Sequence, residues 1–74
     1  MAMRNAELGK RIHEAIAKLS PEHQQVILLR EVEGLAYEEI AETIPCSLGT
    51  VMSRLFYARK KLQEMLKDTY ENAL

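Results

Sequence analysis

Apolar residues recur along this chain at the three- and four-residue intervals of an amphipathic helix, and nowhere alternate as a half-buried strand would. Leu8, Ile12, Ala15, Ile16 and Leu19 form the first such stripe and predict a first helix. Ser20-Pro21 then punctuates the chain. Serine is a preferred N-cap, and proline suits the first helical position, where the N–H has no partner in any case. A second helix is therefore predicted from Pro21, burying Val26, Ile27, Leu29 and Val32. Gly34 should stop it in the left-handed C′ position, with Leu35 as the hydrophobic residue that follows. A third, short helix is predicted from Tyr37 to Thr43, with Tyr37, Ile40, Ala41 and Ile44 inward. Pro45 should end it, because a residue before proline is pushed out of the helical region. Ser47 then caps a fourth and longest helix, expected to run to about Thr69.

Four helices with short connections predict an all-α fold: one small four-helix domain over 1–74, without internal repeats. Met1 to Met3 read as an expression scar before a natural segment, which makes the chain a fragment of something larger. Composition narrows the chemistry. At 74 residues the chain is marginal in size, and its single cysteine, Cys46, closes no internal disulfide. Two scattered histidines and one thiol do not make a structural zinc site, and no Gly-rich phosphate loop is present. No pair of side chains has the spacing of a nucleophile with its base, so neither an enzyme nor a cofactor is expected. No apolar run approaches the roughly 20 residues of a membrane helix, so no membrane partner is expected. A lone thiol without a secretion signal points to the cytoplasm.

The net charge of −1 is uninformative until the charges are placed. Between positions 22 and 42 six glutamates face Arg30 alone, whereas between 54 and 68 five cations face only Glu64 and Asp68. The chain is a dipole. Local clusters, not totals, set attraction to a polyanion, so a basic last helix is compatible with DNA. The alternative is a solvated helix face whose lysines favour the helix C-terminus.

A short helix, a tight turn and a longer capped helix, from Leu35 to Leu66, follow the helix-turn-helix plan. Two helices that cross closely need a small residue at the crossing, which Ala41 supplies, and Val51 is placed to fill it. Ile40, Ile44, Leu48 and Leu55 complete the predicted seam. At about 100° per residue from Thr50, the positions Val51, Leu55, Ala58 and Leu62 share one stripe. Thr50, Ser53, Arg54, Tyr57 and Lys61 form a polar, basic ridge on another face, and Met52 and Phe56 form a third strip. Major-groove readers place their base contacts in the first half of such a helix. Free N–H groups behind Ser47, with no side chain at Gly49 to block approach, add a place for a phosphate.

The runs LLREVEGL at 28–35, YEEIAE at 37–42, GTVMSRL at 49–55 and ARKKL at 58–62 resemble region 4 of bacterial sigma factors. The resemblance, which covers about Ile16 to Leu66, is strongest to the extracytoplasmic-function group. It implies a domain that docks its recognition helix into the −35 promoter element while attached to RNA polymerase, in transcription initiation. It also implies three partners: promoter DNA, the flap of the polymerase β subunit, and an anti-sigma factor. Carried over by position, Thr50, Met52, Ser53, Arg54, Phe56 and Tyr57 match the DNA-facing positions, and Arg30 a further basic DNA contact. Lys61 joins them from the ridge, and Arg30, Arg54, Arg59, Lys60 and Lys61 are the expected phosphate contacts.

Four positions depart from the family pattern. Met52 and Tyr57 stand where basic residues are common, and Ala36 stands where serine usually caps the third helix with Glu39 as its capping-box partner. Pro45 stands where glycine, aspartate or asparagine is usual. Because proline cannot take positive φ, the turn is expected to be built differently from a left-handed one, with the helix crossing intact. Two other classes fit parts of the pattern. A response-regulator output domain shares the motif around Glu38 to Ala41, and a module without DNA binding would only titrate a regulator.

Overall fold

The computed structural model describes the backbone of residues 5–73 and the side chains of Glu7 and residues 9–67. Met1 to Met3 and the Leu8 side chain lie outside the described residues. Four helices follow one another: α1 (Asn5–Ala17), α2 (Pro21–Ile27), α3 (Tyr37–Thr43) and α4 (Leu48–Ala73). No strand occurs among the described residues. The last helix ends four residues beyond the expected Thr69 and sets the long axis of a molecule measuring 43 × 20 × 18 Å. α2, α1 and α3 all pack against it.

The boundaries have local causes. Ser20, extended at φ −60° and ψ 156°, accepts the His23 N–H at 3.4 Å, and Pro21 occupies the first helical position. At its other end α2 widens into a π-helical turn over Leu28–Val32, where the Glu33 N–H reaches back five residues to the Leu28 carbonyl at 3.0 Å. Gly34 then takes φ +72°, and the Leu35 N–H closes on the Leu29 carbonyl at 3.0 Å. The widened turn corrects one expectation. An extra residue in the turn rotates the following positions, so Val32 points outward at 68% exposure rather than into the core.

Ala36 is the N-cap of α3, at φ −69° and ψ 157°, and carries half a capping box. Its N–H donates to Glu39 Oε1 at 2.8 Å, but its methyl group has no oxygen to return to the helix. The turn after α3 corrects a second expectation. It uses the left-handed plan despite proline: Pro45 sits at φ +20°, and the Cys46 N–H reaches the Ala41 carbonyl at 3.0 Å. That six-to-one hydrogen bond is the one a glycine at this position normally closes. Ile44 is accordingly not driven into extended backbone but rests at φ −94° and ψ 10°. The drive to stack α3 across α4 outweighs the preference of one ring.

Ile16, Leu19, Val26, Ile27, Ile40, Val51, Leu55 and Ala58 form one buried cluster drawn from all four helices. Ile12, Leu29, Leu35, Tyr37, Ala41, Ile44 and Leu62 pack around it half-buried. The predicted helix-turn-helix seam is present at Ile40, Ala41, Ile44, Val51 and Leu55. Leu48 is the exception, 42% exposed. It is the first residue after the Ser47 cap and precedes the crossing, where Val51 is the first residue fully covered.

Candidate nucleic-acid interface

Ser47 fixes where α4 begins. Its Oγ accepts the Thr50 N–H at 3.1 Å and lies 2.8 Å from Thr50 Oγ1, so the two hydroxyls share one proton bridge. Three residues on, the chain is committed to a helix whose inner face is locked by Val51, Leu55 and Ala58. What faces outward follows from that lock. Met52, Ser53, Phe56, Tyr57, Lys60 and Lys61 are exposed, while Thr50 and Arg54 are half-buried at the edge. Phe56 and Tyr57 meet edge to face, their ring centroids 5.2 Å apart. This perpendicular pair stiffens a patch on a surface where lone aromatic side chains would rotate freely. Above Gly49 the surface is open, since a Cβ there would meet only Ser47 Oγ at 3.9 Å.

Seven of the eight candidate DNA residues lie on α4 outside its buried stripe: Thr50, Ser53, Arg54, Tyr57 and Lys61 along one ridge, and Met52 and Phe56 on a neighbouring strip. Arg30 stands apart. Its Nη1 donates to the Leu35 carbonyl at 2.9 Å, and its guanidinium lies over the Tyr37 ring, 5.1 Å from the centroid. It staples the loop between α2 and α3.

Arg59, expected among the phosphate contacts, is also engaged elsewhere. Its Nη2 meets Glu31 Oε1 at 2.9 Å and its Nη1 meets the Tyr37 hydroxyl at 3.4 Å. Those two hydrogen bonds, first to Tyr37 and then to Glu31, raise its pKa above the usual arginine value. Arg59, Tyr37 and Arg30 thus form a chain tying α4 to α3 and to the turn after α2. The remaining cations on the α4 face, Arg54, Lys60 and Lys61, carry no such pairing among the described residues.

The interface therefore has hydroxyls and an apolar patch near the helix tip and unpaired cations flanking them and farther along. Such a face suits base edges in a groove with phosphates at its rim. Among the described residues no group of three His, Cys, Asp or Glu side chains is placed to hold a metal ion. Cys46 is a free, half-buried thiol in the turn.

The model of sigma-70 region 4 matches residues 9–62. The chain belongs to that family. It is 38% identical over 72 residues to the RNA polymerase sigma-H factor of Pseudomonas aeruginosa, covering 97% of this chain and 37% of that protein. It is 40% identical over 65 residues to the ECF RNA polymerase sigma-E factor of Haemophilus influenzae, covering 88% of this chain and 34% of the relative. With the ECF sigma factor SigE of Mycolicibacterium smegmatis it shares 39% over 70 residues, 93% of this chain and 27% of the relative. The chain thus spans about a third of the length of these curated relatives. Within this region 4 domain, α3, the Pro45 turn and α4 are the helix-turn-helix.

What the sequence missed is long-range. Nothing local marks Arg59 as the partner of Glu31, 28 residues away, or places the corner between α1 and α2 beside the basic half of α4.

Proposed function

We propose that this domain reads the −35 element of a promoter as part of a sigma factor that directs RNA polymerase to begin transcription. The carrying observation is the outward face of α4: Thr50, Ser53, Arg54 and Tyr57 near a capped helix start, with Lys60 and Lys61 behind them. Thr50 and Ser53 supply hydroxyls for base edges, and the Phe56–Tyr57 and Met52 surfaces are suited to thymine methyl groups. Arg54, Lys60 and Lys61 neutralise phosphates, and Arg30 steadies the loop from which α3 springs. The domain performs no chemistry of its own and needs no cofactor. Its place is the cytoplasm, bound to polymerase core through the flap of the β subunit and held in check by an anti-sigma factor.

Selection from a pool of duplexes with a randomised core tests this reading. Enrichment of one short motif by the wild-type chain, lost on Thr50→Ala with Ser53→Ala, supports it; recovery of an unenriched pool refutes it. A second reading is a module that only titrates a regulator. The inward engagement of Arg30 and Arg59, beside exposed Met52, Phe56 and Tyr57, favours it over an enzyme. It requires that the same selection return no motif.

A further inference from the structure

Alongside the basic half of α4 runs an open cleft whose second wall belongs to a different part of the chain. One wall is Lys18, Ser20 and His23, at the corner where α1 passes into α2. The other is Tyr57, Lys60 and Lys61 of α4, closed at its far end by Glu64. Lys18, Lys60 and Lys61 come together across some 40 residues of chain, and none pairs with a carboxylate among the described residues. Three ammonium groups against the single carboxylate of Glu64 leave the cleft net positive, which favours a polyanion between its walls. Ser20 and His23 add O–H and N–H donors to the same wall.

The spacing along α4 suits one particular polyanion. Lys61 lies eight residues beyond Ser53, or about 12 Å along the helix axis. That exceeds the half-width of a major groove roughly 12 Å across, by an amount a lysine side chain can span. With Ser53 among base edges, Lys61 and the cleft therefore fall at the groove rim, where the sugar-phosphate strand passes.

We propose that the α1–α2 corner is a second DNA-binding element, in which Lys18 faces Lys61 across the cleft and holds a phosphodiester strand at the rim of the groove. The assignment rests on the DNA-reading function and adds to it a contact outside the helix-turn-helix. It makes Lys18 an affinity residue without sequence preference. Ser20 and His23 assist as donors to the phosphate oxygens.

The test is the salt dependence of duplex binding by the full chain, with Lys18→Gln compared against Lys10→Gln, the same charge change in the middle of α1 and outside the cleft. Four contacts from Lys18, Arg54, Lys60 and Lys61 give a log–log slope of about −3.6 in the wild type. Lys18→Gln is expected to reduce its magnitude by about 0.9, equally for a selected duplex and its scrambled copy, while Lys10→Gln leaves it unchanged. Thermal melts of both variants check that the fold is retained. A steep wild-type slope with equal slopes for the two variants overturns the corner and leaves the DNA reading standing. So does a Lys18→Gln variant that alters the ratio between the duplexes, since a phosphate contact carries no sequence information. A flat wild-type slope overturns the DNA reading itself, and the corner with it.

Discussion

Replacing Pro45 by glycine should make the domain more stable, against the usual expectation that glycine loosens a chain. The pyrrolidine ring prefers φ near −65°, yet the turn between α3 and α4 holds Pro45 at +20°. A non-glycine residue kept in a sparsely populated backbone region costs about 1–3 kcal/mol, and a ring rotated that far belongs at the upper end. Proline also lacks the N–H that would bond to the Glu42 carbonyl in a complete C-terminal motif, which forgoes roughly 0.5 kcal/mol at an exposed site. Against this, glycine enlarges the unfolded ensemble, and undoing both the proline and the side-chain restriction costs about 1–2 kcal/mol. The balance is a gain of about 2 kcal/mol, or roughly 8–16 °C in Tm for a domain of this size. Thermal melts of Pro45, Pro45→Gly and Pro45→Ala measure it. Glycine should be the most stable, because alanine shares the penalty for positive φ. If glycine falls below alanine and both fall below proline, residue 45 has an ordinary proline backbone and the turn is not left-handed.

Ala36→Ser should stabilise the domain by about 0.5–2 kcal/mol, since it completes a capping box of which Glu39 already makes one half; an unchanged melting midpoint would contradict this. Arg59→Gln should lower stability by less than about 1 kcal/mol, because the pair is 41% and 53% exposed, and should leave the salt slope of DNA binding untouched. A slope weakened by about 0.9 would show that Arg59 abandons Glu31 for a phosphate. Lys61→Ala should weaken selected and scrambled duplexes alike and flatten the slope by about one unit. Thr50→Ala and Ser53→Ala should instead narrow the gap between those duplexes by about 1–3 kcal/mol at constant slope; the reverse pattern would mean that the helix lies in the groove the other way round.

Features written in neighbouring residues are legible in the sequence alone. Ser20-Pro21, Gly34 and Ser47 each act within one turn of helix, and each marks a boundary where it was read. The α4 stripe was legible for the same reason, since burial of Val51, Leu55 and Ala58 follows from helical spacing alone. Val32 was not, because the widening of a helix end depends on how the following loop is anchored, here by Arg30 on Leu35 and Tyr37. Leu48 has the spacing of a core residue but lies one turn ahead of the crossing that would cover it. Pro45 shows the opposite failure: the local rule was sound, and the packing of α3 on α4 overrode it. The helical wheel keeps the α4 candidates off the buried stripe, as a ridge of Thr50, Ser53, Arg54, Tyr57 and Lys61 with Met52 and Phe56 on a separate strip. The partners of Arg59 and the second wall of the cleft come from distant segments, which no wheel brings together.

The central claim, that the outer face of α4 reads a promoter sequence, is tested most directly by equilibrium titration of the wild-type chain. The probes are a duplex bearing the selected motif and a scrambled copy, from about 50 to 200 mM salt. The expected result is two parallel log–log lines with a slope near −3.6, separated at every salt concentration in favour of the selected duplex. Coincident lines, or binding indifferent to salt, would contradict it.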